Sequence, residues 1–64
     1  MADIAVHNEG SLILFQPLTE HGMEWLTDHT ETESWQWLGD SLAVESRYAL
    51  DLASFAMADG LEVK

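Results

Sequence analysis

The sequence predicts a small α+β domain. Its expected order is strand, helix, hairpin, helix, strand (a split βαβ plan, βαββαβ), with an additional N-terminal strand and both helices on one face of the sheet. Three observations predict it. Short apolar runs are punctuated by Gly and Pro, two stretches of helical periodicity each follow a hydroxyl residue, and "SWQWLGDSLAVE" alternates on either side of Gly39-Asp40.

Ile4-Ala-Val6 and Leu12-Ile-Leu-Phe15 flank "HNEGS", where Gly10 supplies the left-handed residue of a three-residue hairpin loop at Asn8-Glu9-Gly10. Pro17 lacks a backbone donor and ends the second run. A helix is expected from Thr19 to about His29. Thr19 is its N-cap, Glu20 suits the positive end of the dipole, and Leu18 with Met23 fits a hydrophobic staple. Met23 and Leu26 mark its buried side, with Trp25 on the flank. Gly22 is unfavourable in that first turn, by up to about 1 kcal/mol relative to Ala. Thr30 to Glu33 reads as an acidic connector.

Gly39-Asp40 has Gly first, as a type II′ turn requires. That turn sets Leu38 opposite Ser41, Trp37 opposite Leu42, Gln36 opposite Ala43 and Trp35 opposite Val44. Opposed residues share a face, so Trp35, Trp37, Leu42 and Val44 are expected in the core. Ser46 is expected to cap a second helix from Arg47 to about Ala58, with Ala49, Leu52, Ala53, Phe55 and Ala56 as its apolar side. Gly60 ends it as a left-handed C′ residue, and Leu61 folds back on Ala56 in a Schellman contact. Leu61-Glu-Val63 alternates as a last strand. It and the N-terminal strand compete for one edge of Leu12–Phe15, and the sequence leaves their order open.

The chain has 64 residues, enough for one domain, residues 1–64, and contains no cysteine for disulfides or thiolate metal sites. Hydrophobic content of 47% supports a folded core. Twelve acidic residues against two basic ones give a formal charge of -10. Nucleic acid and anionic membranes need several basic contacts, which Arg47 and Lys64 do not supply. A basic protein surface is the natural electrostatic partner. Solubility alone is the competing explanation of the acid. Nothing resembles a signal peptide and the longest apolar run is Leu12–Phe15, so a cytoplasmic protein is expected.

Catalytic signals are weak. His21, Glu24 and Asp28 have metal-compatible helical spacing, but no second ligand motif accompanies them. "DHTETE" lacks the glycine and terminal Glu of a calcium loop. No enzyme, cofactor or metal is expected. The clearest candidate is an acidic partner-binding face of Glu20, Glu24, Asp28, Glu31 and Glu33, with Trp25 as a rim anchor. Carboxylates in a row resemble a nucleic-acid backbone, which carries one charge per ~3.4 Å of strand. By analogy of class, this suggests an inhibitor of the phage or plasmid kind, anti-CRISPR proteins included, that occupies a nucleic-acid-binding surface. The alternative is a homo-oligomer, a homodimer for example, formed through an uncovered sheet face bearing Leu38 and Ala43 with Ile13 or its neighbours.

Pro17-Leu18, Trp25, Val44-Glu45, Arg47-Tyr48 and Gly60-Leu61-Val63 make a "PL…W…VE-x-RY…GL-x-V" pattern. The pattern resembles short bacterial proteins from chromosomes and mobile elements, over about residues 11 to 63. Those proteins have no assigned activity, so the resemblance implies no function. Local roles suffice for "VESRY": Val44 ends a strand, Tyr48 packs in the first helical turn, and Arg47 is spaced to pair with Asp51.

Overall fold

The computed structural model describes residues 1–29 and 35–64, with only the backbone of Trp35. β1 (Ile4–Glu9) and β2 (Leu12–Pro17) form the first hairpin, followed by α1 (Glu20–His29). β3 (Trp35–Leu38) and β4 (Ser41–Glu45) form the second, and α2 (Ser46–Ala58) follows. The four strands make one antiparallel sheet in the order β1-β2-β4-β3. β4 lies between β2 and β3, which is the split βαβ unit expected around α1.

The first hairpin is tighter than expected. Glu9 pairs with Leu12, leaving a two-residue loop of Gly10 and Ser11. Gly10 has φ 83, and its N–H donates to Asn8 Oδ1 at 2.8 Å, so the loop closes with one residue fewer. In the second hairpin all four expected cross-strand pairs are observed, from Trp35↔Val44 to Leu38↔Ser41. Gly39 has φ 61 at the first turn position.

The competition for one edge resolves by layering. β1 takes the edge of β2, and the C-terminal residues lie outside β1, with Ile4 and Val63 in a parallel bridge. Asp3 N–H and Ile4 N–H donate to the Glu62 carbonyl, and Lys64 N–H donates to the Ile4 carbonyl at 3.0 Å. The closing segment therefore satisfies backbone groups that the β1 edge would otherwise leave open.

Both helices cover one sheet face. Ile4, Ile13, Phe15, Leu42 and Val44 meet Trp25 and Leu26 of α1, Ala49, Leu52 and Ala56 of α2, and Leu61. Ile13 consequently belongs to the core, not to the open face. Leu12 and Leu14, its neighbours, share the open face with Leu38 and Ala43. Leu12 and Leu38 are exposed there, whereas Ala43 is small enough for flanking strands to bury it.

Several side chains depart from expectation. Trp37 is on the core face but 37% exposed, because β3 is the sheet's outer strand and has a neighbour on one side only. The side chain of Trp35 lies outside the described residues, as does the connector Thr30 to Glu33. On α1 the buried residues are Gly22, Trp25 and Leu26, and Met23 is exposed. The cause is Gly22: a Cβ there would overlap the Asp3 carbonyl oxygen. The bare glycine lets the helix lie against the N-terminal backbone, which centres the contact on Gly22 and turns Met23 outward. The helix-weakening residue is thus the point of closest approach.

Thr19 caps α1 as expected, its Oγ1 accepting the Gly22 N–H at 3.0 Å. Ser46 does not cap α2. The strand runs straight into the helix, Glu45 occupies the N-cap position without a capping bond from its side chain, and the Ser46 N–H donates to the Ser11 carbonyl. At the other end the Schellman motif is present. Leu61 N–H donates to the Ala56 carbonyl, Gly60 N–H donates to that of Met57, and Gly60 has φ 91.

Candidate functional site

The acidic ridge is a consequence of how α1 sits. With Gly22, Trp25 and Leu26 facing the sheet, Glu20, Glu24 and Asp28 fall on the outside and are all exposed. A rise of about 1.5 Å per residue separates successive members by about 6 Å along the axis. Among the described residues none of the three enters an ion pair. The pairs formed are Arg47 with Glu45 and the N-terminal amine with Glu62, and His29 Nε2 lies 3.7 Å from Asp59 Oδ2. Arg47 bonds Glu45 at 3.0 Å rather than the expected Asp51, two residues away instead of four, because Glu45 is the last strand residue and lies beside it. Glu31 and Glu33, the other members of the expected face, lie outside the described residues.

Trp25 is not a rim anchor. Its side chain is only 6% exposed and belongs to the core, where the helix contact centred on Gly22 places it. Its indole N–H donates to Asp59 Oδ2 at 2.7 Å, satisfying the ring's single donor. The His29 ring stacks on it, with centroids 4.1 Å apart and 15° between planes, and His29 Nδ1 lies 2.8 Å from the Trp25 carbonyl oxygen.

Beside this cluster a groove of about 360 Å³ runs between the helices, lined by Trp25, His29, Tyr48, Asp51, Leu52 and Phe55. Residues 48, 51, 52 and 55 are one helical stripe, so α2 supplies one wall and α1 the other. Leu52 is buried as the floor. Phe55 is 63% exposed and Tyr48 37%, so both stand as walls and not as core, contrary to their expected packing. α2 buries Ala49, Leu52 and Ala56, which puts Tyr48 and Phe55 on the flank of its buried face. The stripe was visible in the sequence, but the groove needed the Trp25–His29 side of α1 to close it.

The Asp3 carboxylate is held by two hydrogen bonds. It accepts from the Thr19 hydroxyl at 2.7 Å and from the Glu62 N–H at 3.0 Å, and these bonds, the Glu62 one foremost, hold its pKa below the usual 3.8. Its partners are structural and tie both chain ends to the start of α1. Among the described residues no three His, Cys, Asp or Glu side chains converge as a metal site, so His21, Glu24 and Asp28 are a row and not a cage. No helix among them is long and apolar enough to cross a membrane.

No protein-family model, curated protein or solved structure matches this chain. The geometry of the ridge and groove therefore carries the functional reading.

Proposed function

We propose that this protein is a non-enzymatic cytoplasmic binding module that docks its acidic ridge on a basic, nucleic-acid-binding surface of another protein. Such a module would act as an inhibitor of the nucleic-acid-mimic kind, anti-CRISPR proteins being one example, and mobile elements are its natural carriers. The observation that carries the reading is the outward row of Glu20, Glu24 and Asp28, without an ion-pair partner among the described residues, in a chain of charge -10. Like charges at this spacing cost a few tenths of a kcal/mol per pair, and a basic partner would relieve that repulsion. The test is capture of nucleic-acid-binding proteins by the immobilised chain across a salt series. Capture should weaken steeply with salt and disappear when Glu20→Gln, Glu24→Gln and Asp28→Asn are combined. Capture indifferent to both would overturn the reading.

A second reading rests on the open sheet face. Leu12 and Leu38 are 38% and 49% exposed there, beside partly buried Leu14. These apolar side chains would suit self-association into a homodimer. Light scattering separates the readings, since a monomer at all concentrations excludes this one.

A further inference from the structure

We propose that the groove between α1 and α2 receives one arginine side chain of a protein partner. Its floor, Leu52 and Trp25, is apolar and buried, which suits the methylene stem of a long side chain. On its α2 wall Phe55 exposes an aromatic ring, whose face attracts cations, while the neighbouring Tyr48 ring already carries the Arg47 guanidinium. Asp51 stands among them on the same helical stripe, exposed and outside any ion pair among the described residues. An apolar floor, the exposed Phe55 ring and a carboxylate suit an organic cation, and in a chain of charge -10 they disfavour an anion.

Arginine fits better than lysine. A planar guanidinium stacks on a flat ring while its forked N–H groups reach a carboxylate, whereas an ammonium is a strongly hydrated point charge. The chain already uses this combination within itself. The Arg47 guanidinium lies 4.9 Å from the Tyr48 ring centroid while its Nε donates to Glu45. The volume of about 360 Å³ is at the small end of ligand pockets and matches one side chain, not a peptide helix. The site goes beyond the acidic ridge and does not depend on it.

The experiment is an NMR titration of the ¹⁵N-labelled full chain with acetyl-Gly-Arg-Gly-amide, alongside the same peptide carrying citrulline, which keeps the shape without the charge. Saturable shifts are expected at the Trp25 indole and at Tyr48, Asp51 and Phe55. Citrulline should bind at least ~5-fold more weakly, and Asp51→Asn and Phe55→Ala should each weaken arginine binding several-fold. Both replaced side chains are exposed, so the fold should persist, and the spectra of the variants verify it. The combined Glu20→Gln, Glu24→Gln, Asp28→Asn variant should still bind the peptide. Shifts confined to the ridge, equal binding of citrulline, or no saturable shift would each overturn the proposal. Because the ridge variant tests docking and the groove variants test arginine capture, failure of one leaves the other standing.

Discussion

The Trp25 indole donates to the Asp59 carboxylate at 2.7 Å, joining the middle of α1 to the C-terminal cap of α2 across 34 residues of sequence. His29 stacks on the same indole and brings its Nε2 within 3.7 Å of the same carboxylate oxygen. The two helices are thus tied by a polar bond at the edge of the core as well as by apolar packing beneath it. Trp25→Phe keeps most of the ring and removes the donor. It should cost about 1 kcal/mol, measured by urea unfolding, because Asp59 is exposed enough to regain water. Trp25→Ala should cost about 3 to 5 kcal/mol through the cavity left in the core.

Gly22→Ala separates helix propensity from packing. In an isolated helix alanine would gain about 1 kcal/mol. Here the new methyl would overlap the Asp3 carbonyl, and backbone cannot rotate aside as a side chain does. The variant should be destabilised by about 1 to 3 kcal/mol in urea unfolding. A more stable variant would show that α1 does not rest on the N-terminal backbone.

Gly60→Ala tests backbone strain alone. Gly60 has φ 91, and among the described residues no atom beyond Gly60 and its two chain neighbours lies within 4 Å of where a Cβ would stand. The loss should therefore be conformational, about 1 to 2 kcal/mol, and read from thermal or urea unfolding with the helix content retained.

Acid should loosen the tie at Asp3. Its folded pKa lies below the unfolded value near 3.8, owing first to the Glu62 N–H and then to the Thr19 hydroxyl. A carboxyl shifted this way stabilises the fold above its unfolded pKa, and that contribution is lost as pH falls through the folded one. Thermal unfolding from pH 7 to pH 2 should show wild type more stable than Asp3→Asn at neutral pH, with the gap narrowing below about 3.8. A gap independent of pH would mean that the charge of Asp3 does not matter.

Neutralising the ridge should separate binding from stability. Combining Glu20→Gln, Glu24→Gln and Asp28→Asn removes two like-charge contacts at i,i+4, each worth a few tenths of a kcal/mol. The melting temperature should rise slightly at low salt, and the gain should shrink at about 1 M salt, where the Debye length is about 3 Å. Under the proposed function the same variant loses its partner.

Local rules made much of this fold legible. The Gly39-Asp40 turn set the whole register of β3 on β4, because a two-residue loop admits one pairing and the period of two assigns every side chain to a face. Thr19 and Gly60 marked helix ends through chemistry that extends no further than a few residues. The outward row of Glu20, Glu24 and Asp28 followed from helical spacing in the same way.

Tertiary structure decided what depends on residues distant in the chain. Gly22 reads as a weak point until Asp3 is brought beside it, and Trp25 reads as a flank residue until Asp59 accepts its N–H. Phe55 reads as core until α2 settles on Ala49, Leu52 and Ala56, which leaves the ring on the flank, lining a groove. The order of β1 and the C-terminal segment likewise turned on one fact: β1 had an open edge, and Leu61 to Lys64 lay where it could be covered. Periodicity tells which residues share a face. Only the packed chain determines what that face meets.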